Sequence, residues 1–411
     1  MKGKRTVFNS KVDLFPKLAP KEKYHTASFD TLALKLASNI TSYRVCDELL
    51  NHVIWQGDGE KIKYRSLRDF VSREGNKMLG YLDSKAEKVL KAQEFNVDTG
   101  EPVEVDRINE TITNPVFQMI DEEIINSKID EYNEGKSRKR QIDEVQIKEM
   151  FVGDENCINV SIDDIGTVEQ KESGRTKYPE PKEGRHYVKN TVIHIQQDLN
   201  KYILVGLGIK RMMLIMLAFL LENDELKNKH LIFFTDGASD IRKAIKDMFG
   251  WRSHQILLDW YHLREKCKQR LSMAMKGKDF RNEAVKDVLS ILWAGNVEDA
   301  VKYLKSIDDN KIRNKAEIER LIGYFDKNWS YIPCYALRQK LGLRVSSNRG
   351  EKANDLVVAK RQKHNGMSWS KYGSSGLANV SSIFLNNESE NWIIHRNLNF
   401  NFNTDNSKIA A

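Results

Sequence analysis

Residues 230–262 read HLIFFTDGASDIRKAIKDMFGWRSHQILLDWYH. His230 to Thr235 is a short apolar run that stops at an Asp-Gly pair, so it reads as a buried strand ending in a turn. Asp240 to Phe249 carries Ile241, Ala244, Ile245 and Met248 at the spacing of one helix face. His254 to Leu258 is a second apolar run, and it stops at Asp259. This strand-helix-strand unit is the part from which the rest can be worked out.

Upstream of it the pattern has the period of strands. CINVSI (Cys157 to Ile162), TVIHIQQ (Thr191 to Gln197) and YILVGL (Tyr202 to Leu207) are three strand candidates in a row. A polar, Gly- and Pro-containing hairpin-like loop, Thr167 to Gly184, separates the first two. Lys210 to Leu221, containing MMLIMLAFLL, then reads as a buried helix, since it is about half the length a bilayer requires. An antiparallel meander followed by alternating helices and strands is the order of an RNase H-like domain. The predicted class is therefore α/β, with a mixed five-stranded sheet. Tyr261 to about Arg338 is helical in pattern and reads as an insertion. Val345 to Ser370 reads as a loop followed by a helix.

The N-terminal part predicts short helices. Ser28 can cap one carrying Leu32, Leu36 and Ala37. Thr41 or Ser42 can cap a second carrying Val45, Leu49, Leu50 and Val53. Ser66, with Asp69 three residues on, can cap a third carrying Leu67, Phe70 and Val71. Arg65, Arg68 and Arg73 make the third helix basic, which suits either a helix-turn-helix or a plain bundle with a solvated basic face. Polar breaks at Asn96 to Asp106 and Glu134 to Arg140 interrupt a charged helical stretch. The expected division is 1–90 helical and DNA-binding, 91–152 a helical connector, 153–262 the first part of the core, 263–338 the insertion, 339–390 the final core helix, and 391–411 a polar tail.

Composition sets limits. The 411 residues are 40% hydrophobic and 30% charged with 7 Pro, so the chain is globular rather than disordered or fibrous. A net charge of +8 is a mild bias toward a polyanionic partner. Cys46, Cys157, Cys267 and Cys334 are far apart, which argues against a paired-thiolate zinc site or a disulfide framework. The basic N-terminus lacks an apolar core, so no secretory signal is expected there.

Three acids stand out by position: Asp163 after the first strand, Asp236 after the fourth, and Glu351 at the start of a late helix. First and fourth strands are neighbours in an RNase H-like sheet, which would bring Asp163 and Asp236 together. Carboxylates suit Mg2+, a hard cation that prefers oxygen, and two such ions can clamp both oxygens of an in-line phosphoryl transfer. Asp164 competes with Asp163, but neighbours on a strand face opposite sides, and Asp163 is preferred. Asp259 and His262 are close enough in the chain to orient each other within one helical turn, or to serve as a simple N-cap beside a half-buried histidine.

Four motifs together carry a resemblance: VSID at Val160 to Asp163, TDGA at Thr235 to Ala238, DWYH at Asp259 to His262, and RVSSNRGEKANDLVVAKRQKHNGMSWS at Arg344 to Ser370. The chain resembles the DDE transposases of bacterial insertion sequences, in the Mutator-like group that includes ISLre-type enzymes, over roughly Asn159 to Leu385. The resemblance implies catalytic and metal-binding roles for Asp163, Asp236 and Glu351 around two Mg2+ or Mn2+ ions, with Asp259 and His262 in support. It further implies cleavage at the element's ends and transfer of the freed 3′-hydroxyl to target DNA. Lys360, Arg361 and Lys363, at helical spacing beside Glu351, suit either phosphate contacts or a solvated helix face, and Trp369 suits either stacking on a flipped base or, the preferred reading, a place in the core or a cap. Double-stranded DNA (terminal inverted repeats and target) is the implied partner, with a homo-oligomer on DNA, no membrane, and a bacterial cytoplasmic, nucleoid-associated location. A catalytically silent DNA-binding relative and an RNase H-like structure-selective nuclease are the alternatives.

Overall fold

A computed structural model describes residues 26–402, apart from 41, 54–60, 145–146, 148, 171–185, 347 and 364–365 and the side chains of Asn348, Arg349 and Glu351. The basic N-terminus, most of the polar loop after the first strand and the end of the C-terminal tail therefore lie outside the described residues.

The strands are β1 (Cys157–Val168), β2 (Tyr187–Gln197), β3 (Asn200–Gly206), β4 (His230–Thr235) and β5 (His254–Leu258). They form one mixed sheet in the order β3-β2-β1-β4-β5. β1–β2 and β2–β3 are antiparallel, whereas β1–β4 and β4–β5 are parallel. β4 is buried along its whole length because both of its faces are covered. Leu231 and Phe233 enter the main core, while Ile232 and Phe234 pack in a second cluster with Val152, Cys157 and Leu257.

The connections are helical. α5 (Ile209–Glu222) joins β3 to β4, and α6 (Ser239–Phe249) joins β4 to β5. α5 is apolar nearly all round because it lies inside the main core. Among the described residues, no helix is long and apolar enough to cross a membrane. β1 and β2 run further than their apolar cores predict. The polar residues Asp163, Asp164, Asn190 and Thr191 continue the ladder between them.

The N-terminal helices differ from expectation. α1 (Ala27–Asn39) is capped by Thr26, whose Oγ1 accepts from Phe29 N at 3.2 Å, and not by Ser28. α2 (Tyr43–Val53) does use Ser42, whose Oγ accepts from Val45 N at 3.2 Å. The third helix is not short: α3 spans Tyr64–Ala92, begins before Ser66, and has no side-chain cap. Its apolar positions continue through Leu79, Leu82, Val89 and Leu90 with no proline between them, so the helix runs on through Gly75 and Gly80. Ala33, Leu34, Cys46 and Leu67 share one core with Ile158 and Val160 of the sheet.

Between Asn96 and Val152 the chain carries α4 (Glu122–Asn133) and short single turns. Five helices follow β5: α7 (Trp260–Ala274), α8 (Lys278–Trp293), α9 (Val297–Lys305), α10 (Lys315–Asn328) and α11 (Tyr335–Lys340). They build a core of their own, with Leu263, Cys267, Leu292, Leu321 and Phe325 at its centre. A buried pair, Arg338 Nη1 to Glu149 Oε2 at 2.9 Å, ties them to the segment before β1. α12 (Asn348–Asn354) runs on through a π-helical stretch, Asp355–Ala359, to Gln362, and α13 (Lys371–Leu385) follows.

The buried His230 gives a pH prediction. Burial pushes its imidazole down to about 4, and its Nδ1 has no hydrogen-bond partner among the described residues. The neutral form is thus favoured in the fold. The stability this contributes is fully present above the ordinary value of 6.5 and is lost as pH falls toward 4. At 1.36 kcal/mol per unit the loss reaches about 3 kcal/mol. Urea midpoints at pH 7 and pH 4.5 should fall less in His230→Gln than in the parent; equal falls would reject the assignment.

Candidate active site

The parallel pairing of β1 with β4 ends at Ile162 and Thr235. The next residue on each strand is an acid, Asp163 on β1 and Asp236 after β4. Asp163, Thr235, Asp236, His262, Gly350 and Asn354 line one crevice of about 10 Å³ at this rim. That is room for about one water-sized sphere between the two strand ends and α12.

Each acid is held differently. Asp163 Oδ2 accepts from Asn354 Nδ2 at 2.9 Å, which ties β1 to α12. Asp236 Oδ1 accepts from Ala238 N at 2.7 Å, closing a tight turn in which Gly237 has φ +89°. A Cβ at Gly237 would meet Asn328 Oδ1 and Leu258 Cδ1 at 3.0 Å, and that φ would strain any L side chain. Asp164 does not line the crevice; its Oδ1 accepts from Thr191 Oγ1 at 2.6 Å.

Asp259 is the N-cap of α7. Its Oδ1 accepts from Tyr261 N at 2.7 Å, its own N donates to Thr235 O at 2.9 Å, and it is buried. The cap fixes where α7 begins, and His262 in the first turn reaches the crevice. Glu351 lies in α12 between Gly350 and Asn354, both of which line the crevice, and α12 packs on β1 and β2. The Glu351 side chain lies outside the described residues. Among the described residues, no group of three or more His, Cys, Asp or Glu could hold a metal ion.

The basic block after Glu351 needs correction at two positions. Lys360 and Lys363 are exposed, but Arg361 between them is 1% exposed. Its Nε donates to Ala37 O at 3.2 Å, and its guanidinium lies over the rings of Tyr43 and Trp369. Adjacent helical residues lie about 100° apart, so these cations cannot share one face. Trp369 is buried too, with Nε1 donating to Gln362 O at 3.2 Å, so it is a core residue and not a base-stacking platform. Arg65, Arg68 and Arg73 are exposed on α3, with Arg68 paired to Asp69 at 2.8 Å. Sequence reasoning missed Asn354; its one signal was its place three residues after Glu351, where a helix returns to the same face.

Residues 210–391 match the family described as Uncharacterised protein family (UPF0236). That match runs from the start of α5 past α13, and takes in Asp236, Asp259, His262, Glu351 and Asn354 but not Asp163. No curated protein matches the chain. Among solved structures it is similar to the Drosophila P element transposase strand transfer complex, at 8% identity, over 94% of this chain and 85% of that one, with a TM-score of 0.26. An overlap of that size fixes neither a shared fold nor a shared function.

Proposed function

We propose that the chain is a DNA transposase of RNase H-like architecture that cuts the ends of an insertion sequence and joins the 3′-hydroxyl to target DNA. The reading rests on one observation: β1 and β4 are parallel neighbours, and each runs into an aspartate where their pairing ends. Asp163 and Asp236 are oxygen donors at a crevice of cation size, which suits Mg2+ or Mn2+. Glu351, on the helix over that rim, would complete the set. Two bound ions would stabilise charge on the attacking and leaving oxygens of phosphoryl transfer.

The chain's own residues do the orienting. Asn354 holds one oxygen of Asp163, the Ala238 amide holds one of Asp236, and the Asp259 cap fixes the turn that carries His262. The Mutator-like subtype, inverted-repeat DNA as partner, assembly on DNA and the division at 90, 152, 262, 338 and 390 belong to the same proposal. Arg65, Arg68 and Arg73, with Lys360 and Lys363, are exposed cations that would contact phosphate. The test uses the full chain with labelled DNA carrying the ends that flank its gene. Cleavage and joining should need Mg2+ or Mn2+ and stop with EDTA. DNA binding without metal-dependent strand cleavage would favour a silent binding protein, and cleavage without joining a nuclease.

A further inference from the structure

The turn carrying Asp236 is clamped from outside the sheet. Tyr324 and Asn328 sit one turn apart on α10, in the helical segment after β5. Tyr324 donates its hydroxyl to Asp236 O at 3.4 Å. Asn328 Nδ2 donates to Tyr324 O at 2.7 Å, and its Oδ1 accepts from Arg242 Nη1 on α6, the helix that follows the turn. Arg242 in turn lies over the Tyr331 ring at 4.6 Å, and Lys246 Nζ donates to the Tyr331 hydroxyl at 2.7 Å. At Gly237 the absent Cβ leaves the room that Asn328 Oδ1 and the Tyr324 hydroxyl occupy.

Asn328 is 2% exposed, so its amide spans two elements in a dry setting where hydrogen bonds fix geometry firmly. Insertions in a loop are ordinarily free to drift. Here α10 holds the backbone that follows the second acid's side chain: Tyr324 bonds the Asp236 carbonyl, and both residues fill the space beside Gly237 that a Cβ would need.

We propose that the helical segment is a brace for the Asp236 turn, with Tyr324 and Asn328 as positioning residues that set cation affinity at the crevice. This deepens the metal-dependent reading above and rests on it. A carboxylate whose turn can shift loses part of its pre-organisation, and supporting partners of metal ligands typically change affinity 10- to 100-fold.

The test is Mn2+ binding to the full chain without DNA, by electron paramagnetic resonance of free Mn2+, for the parent, Tyr324→Phe and Asn328→Ala. Tyr324→Phe keeps the ring and removes only the hydroxyl. It should weaken Mn2+ binding about 5-fold or more, with Tm in EDTA within about 2 °C of the parent. Asn328→Ala should weaken it further, and Tyr331→Phe, which leaves the contacts to the turn in place, should weaken it least. Unchanged Mn2+ affinity in both α10 variants would overturn the brace. So would a fall in Tm with no change in affinity, because these residues would then be ordinary packing. If the parent itself binds no Mn2+, the failure lies with the metal-dependent reading, and the brace falls with it.

Discussion

Asp236→Asn is expected to lower metal-dependent strand cleavage by at least about 10³-fold while leaving the fold intact. Three decades correspond to about 4 kcal/mol of transition-state stabilisation, the scale on which a metal ligand acts. The fold should survive because asparagine keeps an Oδ1 acceptor for the Ala238 amide and adds no volume beside Gly237. Asp163→Asn and Glu351→Gln should show losses of the same order. Asp164→Asn is the internal control. Its carboxylate is engaged by Thr191 away from the crevice, so its effect should stay within about 10-fold. Single-turnover cleavage in Mn2+, with circular dichroism as a fold check, measures all four. Parent-like cleavage by Asp236→Asn would remove it from the site, and a large loss in Asp164→Asn with parent-like cleavage by Asp163→Asn would move the first acid by one residue.

How far the sequence could be read differs by element, for physical reasons. β4 and β5 end where their apolar runs end, because β4 is buried throughout, β5 is buried over Ile256 to Leu258, and both stop at aspartate turns. β1 and β2 outrun their apolar cores, since Asp163, Gly166 and Asn190 stay in register through backbone pairing that no side-chain pattern announces. The parallel neighbourship of β1 and β4 follows only from assuming a topology, and the crevice depends on it. Arg361 shows the converse limit. A cation flanked by lysines reads as solvent-facing, yet its partners are the Ala37 carbonyl and the Tyr43 and Trp369 rings, contributed by elements far apart in the chain. Asn354 is illegible for a similar reason, as its partner Asp163 lies on a strand far upstream.

The crossing of α3 over α13 yields the largest stability effect. A Cβ built on Gly75 would lie 1.8 Å from Gly376 O, and one on Gly376 would lie 2.5 Å from Ser72 O. Both obstacles are backbone, so no side chain can swing away and the helices would have to part. Parting would also strain the Asn76 bridge, whose Nδ2 donates to Ser72 O at 2.7 Å and Tyr372 O at 2.8 Å. Alanine normally gains about 1 kcal/mol over glycine inside a helix. At Gly75 overpacking should outweigh that gain, for a net loss of about 3 kcal/mol. Gly80 lies on the same helix with nothing within 4 Å of its would-be Cβ, so Gly80→Ala should stabilise by up to about 1 kcal/mol. Urea denaturation of the two variants therefore predicts opposite signs from one chemical change. The displacement should also reach the site. Ser374 on α13 accepts from Asn190 of β2 at 2.7 Å and donates to Gln362, at the end of the α12 run, at 2.6 Å. Gly75→Ala should thus lower cleavage even under conditions where it remains folded. Equal stability of the two alanine variants would show that the helices can separate at little cost, and parent-like cleavage by folded Gly75→Ala would show that α13 does not hold the rim in place.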